Sequence, residues 1–262
     1  MTVPFPTDRP ALVHRLRAAG CVYAEDEAEL LLDAAESPAA LADLVDRRIA
    51  GTPLEHLLGW AEFCGLRVAV DPGVFVPRGR TGLLVAAAAA VTGPAPAVVD
   101  LCCGSGATTL ALAQRLSPRW LAAADIDPAA VACARRNLAD LAVPVFQGDL
   151  FAPLPARWRG RLDLVVANAP YVPTGAVALM PAEARLHEAP VALDGGSDGL
   201  AVLRRVAEGA ADWLAPGGHL VVEAAAVQAD ALCTELTGLG LTPQVRHDED
   251  LDATAVTARC PA

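Results

Sequence analysis

The chain has 262 residues, and 54% of them are hydrophobic, which is enough to bury the core of one large α/β domain with a small appendage. Its formal net charge is −11 and it has no basic run, which argues against a nucleic-acid duplex as the main partner. The twenty residues counted as Lys and Arg include no lysine, which excludes Schiff-base, P-loop and Ser-Lys chemistry.

The sequence predicts neither a targeting signal nor a membrane span, because its start is polar and Pro-rich and its apolar runs are short. The seven cysteines are an odd number, and their spacing matches neither a disulfide framework nor a zinc site. We therefore expect a cytoplasmic protein with reduced thiols and no metal ion.

The first part of the chain is predicted to be a small helical domain, residues 1–58. Apolar residues recur at helical spacing in three segments: 10–19, 24–35 and 38–49. Residues 60–76 then alternate in the manner of strands around Gly65. This pattern predicts that residues 59–78 form a β-hairpin linker.

Residues 79–262 alternate between strands and helices, which is typical of a doubly wound sheet. The predicted strands lie near residues 97–102, 120–125, 143–147, 162–168, 218–223, 241–246 and 254–259. The predicted helices lie near residues 82–91, 107–116, 128–139, 199–214 and 227–239. The expected architecture is therefore an α/β domain that follows a helical domain and a hairpin.

The apolar run 163–167 ends in Asn168-Ala169-Pro170-Tyr171. In open α/β sheets ligands bind outside the carboxyl ends of the strands, which is where this tetrapeptide is expected to lie. An amide acceptor, a backbone stiffened by proline and an aromatic ring suit an amino or amide nitrogen as ligand. A plain turn after a strand, with Asn and Pro for turn geometry, is the alternative.

A small-residue turn, Cys102-Cys103-Gly104-Ser105-Gly106, follows the first strand of this domain. Its two glycines allow a tight turn and the close approach of a ligand to the backbone. Thr109 stands where a dinucleotide fingerprint has its third glycine, so a nicotinamide cofactor is not predicted. A strand-to-helix turn without a ligand is the alternative.

Two acidic residues follow the next two strands. Asp125, with Ile126 beside it, comes roughly 20 residues after the turn, where a carboxylate can accept both hydroxyls of a ribose. Asp149 can accept from an adenine amino group while Leu150 or Phe151 covers the ring, although Asp149 also suits a capping residue on a loop. Together with the turn, these residues predict a nucleoside ligand.

In their order and spacing, these motifs resemble the glutamine-N5 methyltransferases that modify the Gly-Gly-Gln motif of class I peptide-chain release factors. The resemblance covers nearly the whole chain and includes four further segments: 53–65, Phe75-Val76-Pro77-Arg78, His187-Glu188 and 192–196. It implies a Rossmann-like class I methyltransferase fold and S-adenosylmethionine as cofactor. It also implies that the helical domain holds a protein substrate that acts in translation termination.

The resemblance assigns roles to individual residues. Those implied to line the cofactor are Cys102, Cys103, Gly104, Ser105, Gly106, Asp125, Ile126, Asp149, Leu150 and Asn168. Those implied to hold the acceptor glutamine are Asn168, Ala169, Pro170 and Tyr171. His187 and Glu188 are interpreted as structural or supporting residues.

The chain also departs from the usual family pattern, and it resembles a diverged, actinobacterial-type branch. The family usually has two prolines where this chain has Ala169-Pro170, Gly-Thr where it has Cys102-Cys103, and a carboxylate where it has Gly82. Leu186 stands where relatives often carry Asp. Ala169 still offers its backbone carbonyl, and the proline after it restricts residue 169 to extended conformations.

Three hypotheses about function follow. The first is an S-adenosylmethionine-dependent methyltransferase for a glutamine side chain in a release factor or another translation protein. The second is an N-methyltransferase for a small molecule or a nucleic-acid base, since DNA amino-methylating enzymes share an Asn/Asp-Pro-Pro-Tyr loop. The third is a nucleoside-binding protein without catalysis. The acidic charge argues against DNA, and the retained Asn168, Pro170 and Tyr171 argue against the third hypothesis.

Overall fold

The computed structural model of the protein describes residues 8–262, and it begins with a layer of helices. These are α1 (Arg9–Ala18), α2 (Ala24–Ala34), α3 (Pro38–Ile49) and α4 (Leu54–Leu58). They pack around their own apolar cluster, which includes Leu12, Leu31 and Val45. Helix α3 begins as its sequence predicts, because Ser37 Oγ accepts a hydrogen bond from Ala40 N at 3.2 Å and Pro38 follows directly. Residues 1–7 of the predicted helical domain lie outside the described residues.

Polar contacts tie this helical layer to later parts of the chain. Arg48 in α3 is 8% exposed and donates to Glu27 Oε2 at 2.6 Å and to Glu183 Oε1. Two carboxylates therefore compensate one buried guanidinium, as a buried cation requires. His56 Nε2 lies 2.8 Å from the carbonyl oxygen of Val74, which connects α4 to the segment after the hairpin.

The hairpin consists of β1 (Trp60–Phe63) and β2 (Leu66–Ala69), which are antiparallel. Phe63 pairs with Leu66, so Cys64 and Gly65 form a two-residue turn, and both have positive φ angles of 51° and 76°. Such a turn matches the twist of the paired strands. A short 3-10 turn, Gly79–Thr81, then leads into the large domain.

The large domain contains a seven-stranded sheet in the order β5-β4-β3-β6-β7-β9-β8. Its strands are β3 (Ala97–Leu101), β4 (Trp120–Asp125), β5 (Val145–Gln147), β6 (Leu162–Ala167), β7 (Leu214–Glu223), β8 (Thr242–Asp248) and β9 (Ala253–Arg259). Strands β3 to β7 are parallel to one another, and β9 is antiparallel to both β7 and β8. The order reverses between β3 and β6, which makes their carboxyl ends the expected ligand-binding edge.

Helices cover both faces of this sheet. They are α5 (Gly82–Val91), α6 (Ala107–Leu116), α7 (Pro128–Asn137), α10 (Ala201–Trp213) and α11 (Ala229–Gly238). Two short helices, α8 (Thr174–Val177) and α9 (Ala182–His187), lie in the segment between β6 and α10. Every residue of β3 is buried, and five of the six in β6 are buried. Two-sided burial explains why these strands have continuous apolar sequences. The predicted α/β architecture is confirmed.

Some elements differ from the sequence prediction. Strand β7 begins at Leu214 rather than near residue 218, and its pairing with β6 is irregular between Leu162 and Leu164. Helices α4, α8 and α9 were not predicted, because segments of four to six residues show too little of a helical period. Within residues 8–262, no helix is long and apolar enough to span a membrane.

Candidate active site

A cleft opens at the carboxyl edge of the sheet, above the ends of β3, β4 and β6. Its volume is about 730 Å³, including the mouth that opens to solvent. Eight of the residues predicted to form the site line the cleft: Cys102, Cys103, Gly104, Ser105, Asp125, Ile126, Asn168 and Pro170.

The turn after β3 is held in a conformation that presents its backbone to the cleft. Cys102, Gly104 and Gly106 have positive φ angles of 53°, 55° and 82°. Glycine adopts this conformation without strain, whereas Cys102 does so at some energetic cost. Gly106 does not line the cleft: a side chain there would lie 3.2 Å from Ala134 Cβ, so its small size allows α6 to pack closely on α7.

Asp125, at the end of β4, is fixed by backbone donors. Gly104 N donates to its Oδ2 at 2.8 Å, and Asp127 N donates to its Oδ1 at 2.9 Å. Burial raises the pKa of Asp125, and these N–H groups act in the opposite direction because they stabilise the carboxylate. A carboxylate oxygen accepts more than one hydrogen bond, so both oxygens keep a lone pair for a ligand's hydroxyl groups.

Apolar side chains form the other walls of the cleft. Ile126 is 50% exposed, and Phe75, Pro77 and Val191 also line the cleft. The segment that carries Phe75 and Pro77 is anchored by Glu188, whose Oε1 accepts hydrogen bonds from Val76 N and from the Arg78 guanidinium. Glu188 is 4% exposed, which agrees with its interpretation as a supporting residue.

Asn168 follows β6 and projects into the same cleft. Its Nδ2 donates to Thr81 Oγ1 at 3.3 Å, and Thr81 is 2% exposed. Because Thr81 uses the donor end of the amide, Oδ1 remains available as an acceptor. Ala169, the next residue, is 1% exposed and packs in the core, and it is not among the residues that line the cleft.

Tyr171 lies away from the cleft. Its hydroxyl donates to Glu223 Oε1 at 2.9 Å, and the Arg80 guanidinium carbon lies 5.9 Å from the centre of its ring. Burial and the nearby carboxylate raise the pKa of Tyr171, so the phenol keeps its proton at neutral pH. The resemblance implies that Tyr171 helps to hold the acceptor glutamine, and the structure places Tyr171 in the lining of a second cavity together with Glu223.

Glycines brace the loop that carries Asn168. A side chain at Gly195 would lie 2.7 Å from the carbonyl oxygen of Pro170, and one at Gly199 would overlap the carbonyl oxygen of Tyr171. Gln228, which is 6% exposed, donates from Nε2 to that same Tyr171 oxygen at 2.9 Å. The close contact of two backbones explains why the segment after residue 192 is rich in glycine.

Asp149 and Leu150 lie outside the cleft lining. Asp149 Oδ2 accepts a hydrogen bond from the Arg205 guanidinium of α10, and Leu150 packs against the core. Both residues follow β5, and Gly148 N donates to the carbonyl oxygen of Asp125 at 2.9 Å. They therefore lie at the same edge of the sheet, next to the residue that ends β4.

Two supporting residues were not found from the sequence: Glu223 and Gln228. Each contacts Tyr171, more than 50 positions away in the chain, so no local pattern connects them. Among residues 8–262, the His, Cys, Asp and Glu side chains form no group of three that could hold a metal ion.

Comparison with known proteins agrees with this geometry. Residues 65–208 match the family model described as "Methyltransferase small domain". Among solved structures, a methyltransferase from Pyrococcus furiosus is 14% identical with a TM-score of 0.59, covering 76% of this chain and 91% of that one. The T. thermophilus 16S rRNA N2 G1207 methyltransferase, solved with AdoMet and guanosine, is 21% identical with a TM-score of 0.55, covering 77% and 49%. These two likenesses establish the fold.

Curated relatives are much more similar in sequence. The release factor glutamine methyltransferase of Moorella thermoacetica is 40% identical over 245 residues, which cover 84% of this chain and 85% of that protein. The protein of the same name from Geobacter sulfurreducens is 40% identical over 199 residues, covering 75% and 69%. That from Bradyrhizobium diazoefficiens is 34% identical over 276 residues, covering 96% and 93%. The chain therefore belongs to the release factor glutamine methyltransferase family of S-adenosylmethionine-dependent enzymes.

Proposed function

We propose that this protein transfers a methyl group from S-adenosylmethionine to the side-chain amide nitrogen of a glutamine in a class I peptide-chain release factor. The observation that carries the proposal is the Asn168 amide, which Thr81 holds by its donor end at the rim of a cleft built for a nucleoside. An amide acceptor fixed in this way suits a substrate that offers N–H groups. The relatives are named for glutamine methylation of a release factor, which supports the proposal.

The residues of the cleft fit S-adenosylmethionine. Asp125 would accept the ribose hydroxyls, the backbone of 102–106 would lie against the methionine part, and Ile126 would cover the adenine. Asp149 and Leu150 remain proposed contacts for the adenine edge, since they follow the strand beside β4. When bound, the cofactor supplies a methyl group that its sulfonium has already activated for nucleophilic attack.

The protein's own task is to prepare the acceptor nitrogen. An amide nitrogen is planar and weakly nucleophilic because its lone pair is delocalised into the carbonyl group. Asn168 Oδ1 and the Ala169 carbonyl oxygen would accept the two N–H bonds of the glutamine amide and thereby orient the nitrogen. Orientation of this kind can lower a barrier by roughly 7–11 kcal/mol. After transfer the nitrogen is strongly acidic, so its proton can pass to water without a dedicated base.

The helical layer is proposed to hold the protein substrate. Arg48 joins α3 to Glu183 of α9, and α9 belongs to the segment that follows the Asn168 loop. A protein bound to the helices would therefore be held by a layer that is anchored beside the active site. This assignment treats residues 1–58 as the substrate-binding domain, 59–78 as the linker and 79–262 as the catalytic domain.

Incubation with labelled S-adenosylmethionine tests the proposal. The purified protein is offered a class I release factor, a set of oligonucleotides and a metabolite mixture in separate reactions, and labelled products are mapped by mass spectrometry. We expect label on a single glutamine side chain of the release factor. Label on an oligonucleotide or a metabolite, with an unlabelled release factor, would contradict the proposal.

A further inference from the structure

A second cavity lies at the same edge of the sheet, on the other side of the Asn168 loop from the cleft. It extends over the end of β7 and the start of β9 and has a volume of about 580 Å³, including its mouth. The two cavities share their walls: Arg80 and Tyr171 line the second one, while Thr81 and Pro170, their chain neighbours, line the cleft. A ligand that occupies both cavities would therefore pass over the segments that carry these residues.

The second cavity contains a buried carboxylate that is only half satisfied. Glu223 is 3% exposed, and its Oε1 accepts from the Tyr171 hydroxyl at 2.9 Å and from Arg80 Nε at 3.3 Å. Its Oε2 is also buried, yet it has no hydrogen-bond partner within residues 8–262. A buried carboxylate oxygen without a donor is energetically costly. A ligand that brings a donor to Oε2 would remove that cost.

The charges around Glu223 favour a neutral donor. Arg80 already compensates the carboxylate, so a second cation would leave the cavity with an excess positive charge. The Arg80 side chain is 43% exposed and has further N–H groups that can donate to a carbonyl oxygen. The neighbouring wall, Ala224 to Ala226, carries only small side chains, which allows a polypeptide backbone to approach.

We propose that this second cavity binds the main chain of the protein substrate beside the acceptor residue. A backbone N–H of the substrate donates to Glu223 Oε2, and a nearby backbone carbonyl accepts from Arg80. The acceptor side chain then crosses the shared wall and reaches Asn168 in the cleft. This inference rests on the proposed function and extends it, because it assigns the binding of the substrate backbone to residues outside the cleft.

The experiment replaces single backbone amides of the substrate with esters. An intact class I release factor is prepared with one α-hydroxy acid at a time, at each position near the acceptor glutamine. At one position we expect the ester to raise KM about tenfold with the wild-type enzyme, because an ester oxygen cannot donate to Glu223. In Glu223→Gln, an NH₂ group can take the place of Oε2, and an NH₂ group does not accept a hydrogen bond from a backbone N–H. We therefore expect the same ester to change KM by less than about twofold in this variant.

Glu235→Gln is the matched control. Glu235 is also paired with an arginine, and its buried Oε2 also has no partner among the residues described, 8–262, but it lies on α11 beside Arg204. This variant should keep the wild-type sensitivity to esters. The affinity of Glu223→Gln for S-adenosylmethionine should equal that of the wild type, which also verifies that the variant is folded.

The outcomes separate the inference from the proposed function. If the wild type does not methylate the unmodified release factor, the proposed function fails and the inference fails with it. If the wild type methylates it but no ester position raises KM, the inference alone is overturned, whatever the variant does. Equal ester effects in the wild type and in Glu223→Gln would also overturn it.

Discussion

The two halves of the active-site edge differ in how their polar groups are satisfied. In the half formed by β3 and β4, the protein bonds its own groups to each other: Asp125 accepts from two backbone N–H groups, and the buried Asp100 accepts from the Thr109 hydroxyl. In the half formed by β6 and β7, Asn168 Oδ1 is available and Glu223 Oε2 has no partner within residues 8–262. The carboxylates of the first half therefore have hydrogen-bond partners within the protein, whereas the second half has acceptor atoms that a ligand can use.

This difference indicates a division of labour. A half that is already ordered binds its ligand without a large cost of reorganisation, which suits a cofactor that must be held in one pose. A half with open acceptors gains its hydrogen bonds only when the substrate arrives. Changes in the first half should therefore alter cofactor affinity and protein stability, and changes in the second should alter methyl transfer.

The largest effect is expected for Asn168→Ala. The substitution removes the acceptor that we propose to orient the substrate nitrogen, so single-turnover methyl transfer should slow by about 10²- to 10³-fold. Affinity for S-adenosylmethionine, measured by calorimetry, should stay within about twofold of the wild type. Asn168→Asp keeps the size and an acceptor oxygen, so it should retain part of the activity that alanine loses. Near wild-type turnover in the alanine variant would remove this loop from the active site.

Asp125→Ala should weaken the binding of S-adenosylmethionine by about 10- to 100-fold, because charge-assisted hydrogen bonds contribute about 1.5–3 kcal/mol. It also removes the acceptors of Gly104 N and Asp127 N, so some loss of stability is expected. Ser37→Ala, which removes a helix cap far from the cleft, controls for stability. If the affinity of a folded Asp125→Ala protein is unchanged, Asp125 does not bind the ribose.

Asp100→Asn should change how stability depends on pH. Burial raises the pKa of Asp100 to about 7, from a usual value of 3.8 that applies to the unfolded chain. Between these values the folded state holds a proton that the unfolded state has lost, so stability decreases as pH rises and the decrease ends above pH 7. The slope is about 1.4 kcal/mol per pH unit. Asp100→Asn should remove this slope when the free energy of unfolding is measured by denaturant titration between pH 5 and 7.

Asp140→Asn is the control for that measurement, because Asp140 is an exposed carboxylate on the same domain. The comparison of the two variants separates the loss of the buried carboxyl group from the loss of one carboxyl group as such. An Asp100→Asn protein with the wild-type slope would show that Asp100 does not hold its proton at neutral pH.

The smallest effect on catalysis is expected for Ala169→Pro. The backbone carbonyl that the acceptor amide needs is still present, and Pro170 already restricts residue 169 to extended conformations. Turnover should stay within about threefold of the wild type. The added ring must fit a position that is 1% exposed, so stability can decrease by about 1–3 kcal/mol. A large loss of turnover with retained cofactor affinity would mean that the loop geometry depends on alanine.

The sequence predicts the sheet well because its signals are local. Alternating strands and helices, the glycine turn and the acidic residue that ends β4 each occupy a few consecutive residues, and strand order then brings them together. The direction of the Tyr171 ring is different, because it depends on Arg80 and Glu223 in two other segments. The hydrogen bonds between Thr81 and Asn168 and between Asp149 and Arg205 also join distant segments, so the sequence does not predict them.

The division of labour is tested most directly by measuring two quantities on two variants. S-adenosylmethionine affinity and the single-turnover rate at saturating cofactor are determined for Asp125→Ala and for Asn168→Ala, with the same release factor as substrate. We predict opposite patterns: Asp125→Ala loses affinity and keeps most of the rate, whereas Asn168→Ala keeps affinity and loses the rate. If both variants lose affinity and rate in the same proportion, the two halves of the sheet edge do not have separate roles in cofactor binding and methyl transfer.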